Sequence, residues 1–211
     1  MSPLIQDKIS GARNEPDVAD VNDEGLLIQS PVLRGLLSYW QSLPLKQDLP
    51  LKASFDPLSV PRQIWPQLFL CQLFYEPFSV LIRLQGTYLN DKLHQQFTGK
   101  YIDETTFGAS ASKVLRAYQR AALKRVGYLS QERLCFGEGF GVFLEAIHLP
   151  LLDEKGQVSH MLGALERLPC QADCLDNFTP RRRDIPRQSS EEPLCRPPRP
   201  GSFLNQFSRP D

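Results

Sequence analysis

Apolar residues recur along the middle of the chain with two different periods, and the switches between them predict the order of elements. Val32, Leu33, Leu36, Leu37 and Trp40 fall at helical spacing within residues 31–42. The Ser30-Pro31 pair ahead of them suits an N-cap followed by proline at the first helical position. Pro44 and Pro50 end that helix, and Asp56-Pro57 opens a short capped turn running towards Trp65-Pro66. Residues 68–75, LFLCQLFY, read as an apolar strand, and Glu76-Pro77 as a tight turn. In the strand expected over 78–87, Phe78, Val80, Ile82 and Leu84 share one face, with Ser79, Leu81, Arg83 and Gln85 on the other.

The period then lengthens. Leu89, Leu93 and Phe97 predict a helix over 88–97, stopped by Thr98-Gly99. A longer helix is expected over 110–126, with Val114, Leu115, Tyr118, Ala121, Ala122 and Val126 on its apolar side and Gly127 closing it. Three strands follow, at roughly 128–136, 139–149 and 157–167. Gly137-Glu138-Gly139 and Asp153-Glu154-Lys155-Gly156 supply the turn chemistry between them. Two strands, then helices, then three strands predict an α+β domain. Its five-stranded antiparallel sheet carries helices on one face and is preceded by the 31–42 helix.

Charge and proline mark the limits of that domain. The chain has 211 residues with 24 basic and 24 acidic side chains. This balance argues against a dedicated nucleic-acid binder. Residues 1–29 carry only Lys8 and Arg13 against six acidic groups, and form an acidic segment expected to be flexible. Residues 169–211 hold eight of the 18 prolines, so the tail from about residue 172 is expected to be disordered. Residues 30–168 remain as the folded domain. No apolar run is long enough to span a membrane, and the acidic start is unlike a signal peptide. Five cysteines, an odd number, fit reduced thiols in a cytoplasm.

Specific residues sharpen the fold. Leu149-Pro150-Leu151-Leu152, the polar turn ending at Gly156, and Leu162-Gly163-Ala164-Leu165-Glu166 resemble the last hairpin of a PAS domain. Trp40, Leu51 to Pro57, Trp65-Pro66-Gln67-Leu68, Arg83-Leu84-Gln85-Gly86-Thr87 and Phe97-Thr98-Gly99-Lys100 resemble a PAS-like family of alphaproteobacteria long catalogued as a domain of unknown function. The resemblance covers roughly residues 33–168. One position departs from it: His94 stands where a glycine is expected. The resemblance implies a sensory or regulatory module in bacterial signalling that binds a small molecule, a partner signalling protein, or both. The alternative is a ligand-free dimerisation or interaction module. Neither the ligand nor a cofactor is implied.

Few residues suggest other chemistry. His94, His148 and His160 lack zinc-ligand spacing, and Cys170-x3-Cys174 has no second close pair. His94 could serve as a haem ligand, although a partly exposed helical histidine is the ordinary reading. Gly137-x-Gly139-x-Gly141 precedes a strand rather than a helix, so it reads as a hairpin turn and not a phosphate loop. Asp103-Glu104 and Asp153-Glu154 lie in turns, and no catalytic set emerges. An enzyme using Arg83 and a carboxylate is the third and least favoured reading. Arg83 could grip an anion with its planar fork, or pair with Glu145 or Glu166 on a neighbouring strand. Arg181-Arg182-Arg183 with Arg187 reads as a solvated basic run. Asn177-Phe178-Thr179 matches a glycosylation sequon by pattern alone. The ligand pocket is placed between helices and sheet, at Arg83, Tyr88, His94, Tyr118 and Glu145. The 31–42 helix, with its stripe of Leu36, Leu37 and Trp40, is expected to support a homodimer. Its alternative is to fold back on its own sheet.

Overall fold

The computed structural model describes residues 23–93, 95–136, 140–168 and 180–187. His94, the Gly137–Gly139 turn, the Cys170–Cys174 pair and the Asn177 sequon lie outside them. The chain enters through helix α1 (Pro31–Ser42), where the Ser30 hydroxyl accepts from the backbone amides of Val32 and Leu33 and proline opens the first turn. Two short strands, β1 (Leu45–Lys46) and β2 (Leu49–Pro50), pair with each other. Three 3-10 segments, two of a single turn and one of two turns (Arg62–Gln67), then lead to the main sheet. Its strands are β3 (Leu68–Tyr75), β4 (Phe78–Gln85), β5 (Gly127–Phe136), β6 (Phe140–Leu152), β7 (Val158–Arg167) and β8 (Arg181–Ile185). Between β4 and β5 come α2 (Thr87–Leu93), α3 (Glu104–Phe107) and α4 (Ala111–Lys124).

The expected order of elements holds, but among the described residues the sheet has six strands rather than five, in the order β4-β3-β7-β6-β5-β8, all antiparallel. The sixth comes from the proline-rich tail, where no strand was expected. Arg181, Arg182 and Arg183 are therefore not a solvated run: Arg182 is fully buried and Arg183 nearly so. The helix expected over 88–97 ends at Leu93, and Phe97 is buried from a loop position. The long helix ends at Lys124, with Arg125 taking the left-handed cap conformation (φ 56°). Gly127 instead begins β5, where a Cβ would lie 2.8 Å from the His148 carbonyl.

Helices cover both faces. On β6, Leu144, Ala146 and His148 point towards α2–α4, and Glu145 and Ile147 point the other way, because successive side chains alternate. The second face is covered by residues 23–30 and α1, whose Leu33, Leu36, Leu37 and Trp40 are all buried within the chain. The apolar stripe of α1 is thus buried against its own sheet.

Both ends of α1 are satisfied from far away in sequence. It has no acidic residue in its first turn and no basic residue in its last. Glu145 accepts from the amides of Gln29 (2.9 Å) and Ser30 (2.8 Å), which places a carboxylate at the positive end of the helix. Arg187 donates to the carbonyls of Trp40, Gln41 and Leu43 at the negative end, and its guanidinium lies over the Trp40 ring at 4.6 Å.

Candidate functional site

Between the inner face of the sheet and α2–α4 lies a cavity of about 70 Å³. Strand register explains it. Ser130 on β5 sits opposite Ala146 on β6, and both face inwards. Two small residues side by side leave space that Ala117 of α4, also lining the cavity, does not fill. In the adjoining row of side chains His148 lies beside Gly163, where a Cβ would meet the Phe69 ring at 2.1 Å. The glycine lets Phe69 cross over it towards His148, the ring centres 5.2 Å apart.

A buried polar cluster occupies the β5–β8 side of this space. Tyr128 stacks on His148 (4.2 Å, 15° between planes), and the Arg182 guanidinium lies over the Tyr128 ring at 4.0 Å. Tyr118, on the buried stripe of α4, links His148 Nδ1 (3.1 Å) to the Cys71 sulfur (3.6 Å) through its hydroxyl. Lys113 pairs with Glu132 at 2.9 Å, and Arg120 holds Asp184 through two bonds of 2.8 and 3.1 Å. The Arg182 Nε is 3.7 Å from the same Asp184 carboxylate. The Ser130 hydroxyl is fully buried and has no hydrogen-bond partner among the described residues.

Burial sets the protonation states. Desolvation, with the nearby Arg182 charge, pushes the His148 imidazole down to about 3, so the ring is neutral at physiological pH. The Cys71 thiol is pushed up to about 12 by burial, and both tyrosine hydroxyls are raised for the same reason. His160, half-buried on β7, is lowered to about 4 by burial first and by the charges of Lys52 and Arg83.

A stability profile follows. The unfolded chain protonates both histidines near pH 6.5, whereas the folded chain resists until much lower pH. Below pH 6.5 the unfolded state therefore binds more protons, and stability falls as the pH drops towards 4. His148 alone contributes a slope of up to about 1.4 kcal/mol per pH unit. Thermal unfolding followed from pH 7.5 to 4.5 should show this loss, and His148→Phe should flatten it. An unchanged profile in the variant would count against a buried neutral imidazole.

The five residues expected at the pocket fall in different places. Tyr118 lines the cavity. Arg83 is exposed on β4, next to Ile82, which does line it. Tyr88 is half-buried on α2, its hydroxyl accepting from the Arg167 amide at 3.4 Å and its ring under the Lys92 ammonium at 5.6 Å. Glu145 is on the opposite face, holding α1 and accepting from Gln131 Nε2 at 3.0 Å. It is therefore turned towards α1 rather than towards Arg83. His94 lies outside the described residues. The structure adds Cys71, Tyr128, Ser130, His148 and Arg182. The parity of β6 was the available signal: Glu145 and His148, three apart on one strand, face opposite ways.

Sequence comparison agrees with the topology. The profile of the PAS domain family matches residues 28–166. The chain belongs to the PAS domain family. Three solved structures are similar to this PAS domain. One is the N-terminal domain of a diguanylate cyclase with PAS/PAC sensor from Marinobacter aquaeolei, 12% identical, covering 48% of this chain and 94% of that one, TM-score 0.36. Another is the LOV domain of the blue-light photoreceptor Aureochrome1 in its light state, 12% identical, covering 51% and 84%, TM-score 0.33. The third is an RNA-binding light-oxygen-voltage receptor, 14% identical, covering 59% and 37%, TM-score 0.37. No curated protein matches the chain. Strand β8, with Arg182, lies beyond the residues matched to the PAS domain. No helix among the described residues of this PAS domain is long and apolar enough to cross a membrane. Among the same residues, no group of three histidine, cysteine, aspartate or glutamate side chains is placed to hold a metal ion.

Proposed function

We propose that this PAS domain is a sensory module of cytoplasmic signalling whose input is a small molecule held between the sheet and α2–α4. Its output passes through contact with a partner signalling protein. The observation that carries the ligand is the Ser130 hydroxyl: fully buried, without a partner among the described residues, and facing a cavity of about 70 Å³. A buried hydroxyl left unbonded costs about 1–3 kcal/mol, which a bound polar group would recover.

The cavity groups favour binding over catalysis. A thiol pushed up to about 12 is no nucleophile at neutral pH, and an imidazole at about 3 is a poor general base. Size limits the occupant. Pockets for drug-sized ligands enclose about 300–1,000 Å³, so the cavity as it stands takes neither a haem nor a flavin.

The test is extraction. Protein purified natively, then denatured, should release a small molecule identifiable by mass spectrometry, and Ala146→Leu, which fills the void, should release none. Should the wild type release nothing and Ala146→Leu be the more stable protein, the void is dry. The ligand-free interaction module is then the better reading.

A further inference from the structure

We infer that the occupant of this cavity is a short-chain alcohol, an uncharged molecule whose one hydroxyl group meets Ser130 on β5. The inference rests on the ligand-binding reading above and names the chemical class.

The hydrogen-bonding groups set the number of polar atoms. The Ser130 hydroxyl is enclosed, lines the cavity and has no hydrogen-bond partner among the described residues. It can donate or accept, and so can an alcohol, so the two bond whichever way the serine proton is turned. Other polar side chains of the lining are engaged. Gln85 accepts from the Phe97 amide at 2.8 Å and donates to the Gln95 carbonyl at 2.9 Å. Tyr118 bridges His148 and Cys71 through its hydroxyl. A ligand with several polar groups would bury some of them unbonded, which costs more than their absence.

The ion pairs set the charge. Lys113, Glu132 and Arg182 are the charged side chains that line the cavity. Lys113 is paired with Glu132 at 2.9 Å. Arg182 is paired with Asp184, whose carboxylate Arg120 also holds through two bonds. Burial keeps Cys71 and His148 uncharged at neutral pH. An anion or a cation entering this space gives up its hydration and has to break an existing pair to find a countercharge, whereas an uncharged molecule does neither.

The walls set the size. A volume of about 70 Å³ is roughly half that of the ~150 Å³ apolar cavity that takes up benzene, which leaves room for about three or four non-hydrogen atoms. Around Ser130 the walls are apolar: Ala146 is its cross-strand partner, and Ala117, Val114, Leu144 and Ile82 also face the space. These suit an alkyl chain. Water filling the same space would need about two to four polar partners for each molecule.

Titration of full-length protein with propan-1-ol, followed by the amide signals in NMR spectra, tests the class. Propan-1-ol should shift the signals around Ser130 and Ala146 to saturation. Propane-1,3-diol, with a second hydroxyl, should bind more weakly, and propionate and propylammonium should leave the same signals in place. Ser130→Ala should weaken propan-1-ol about two- to tenfold, the loss of one ordinary hydrogen bond. Ala146→Leu should abolish its binding. Ser130→Ala removes a single atom, so it stays informative if Ala146→Leu fails to fold. Propionate or propylammonium binding as tightly as propan-1-ol would overturn the uncharged class and leave a ligand cavity in place. Undiminished affinity in Ser130→Ala, or binding that survives in a folded Ala146→Leu, would overturn the assignment of the alcohol to this serine. Binding of none of the four would overturn the inference as well. If extraction in that case also yields no compound and Ala146→Leu is the more stable protein, the ligand-binding reading falls with it.

Discussion

A chain ending at residue 179 should melt roughly 10–20 °C below one ending at Arg187. The difference is β8. Its five residues cover the free edge of β5, pairing from Gly127↔Ile185 to Gln131↔Arg181. Removing it exposes the edge amides and carbonyls of β5. The burial of Ile185, which is fully enclosed, is lost as well. So are the two hydrogen bonds of Arg120 to Asp184, the Arg181–Asp23 ion pair at 2.7 Å, and the Arg187 donors at the end of α1. An apolar side chain of this size stabilises by about 1.5–3 kcal/mol. A few hydrogen bonds at about 1 kcal/mol each bring the loss to about 5 kcal/mol, a third or more of a typical domain's stability. Circular dichroism melts of the two truncations measure it directly. Equal melting temperatures would show β8 to be an ornament of the sheet and not part of it.

Trp40→Ala should destabilise the protein by about 3–5 kcal/mol, the usual cost of emptying a large aromatic site in a core. Trp40 is fully buried between α1 and the sheet. Its indole N–H donates to the Pro150 carbonyl at 3.1 Å, so the loss includes an acceptor left without its donor. Trp40→Phe keeps the apolar body and should lose less. Urea unfolding gives the size of both effects, and light scattering on the same samples separates the two roles open to α1. A helix on its own sheet loses stability with no change of oligomeric state. If instead Trp40→Ala turned a wild-type dimer into a monomer of undiminished stability, the stripe would belong to a subunit interface.

Most of the fold was legible because most of its signals are local. The α1 stripe with its Ser30 cap, the pair of strands around Glu76-Pro77, and the apolar side of α4 are each read within a dozen neighbouring residues. Their order was enough to point to PAS. The candidate site was legible only at Tyr118, which lies on a helix whose apolar side is unambiguous. Arg83 is exposed and Glu145 faces the opposite layer, so these two were placed on the wrong side. All of residues 142–152 are buried, because β6 has helices on both faces. A strand covered on both sides is apolar along most of its length and carries no hydrophobic–polar alternation from which to tell one layer from the other. Parity set Glu145 and His148 in opposite layers, but nothing in the sequence told which layer faced α2–α4.

The sequence by itself determined the types and order of most elements from α1 to β7, because hydrophobic period, proline and capping residues act over a few positions, and particular residues within them carried the resemblance to the family. It also placed the apolar stripe of α1, though not what the stripe meets. The tertiary structure alone decided what depends on partners distant in the chain. Three consecutive arginines in a proline-rich tail look solvated until pairing with β5 puts Arg182 over Tyr128, Arg183 against the Leu26 carbonyl and Arg181 on Asp23. The void exists because register sets Ser130 beside Ala146, and neither residue signals a cavity alone. Register and edge pairing are non-local, so their consequences appear only where strands far apart in sequence are brought side by side.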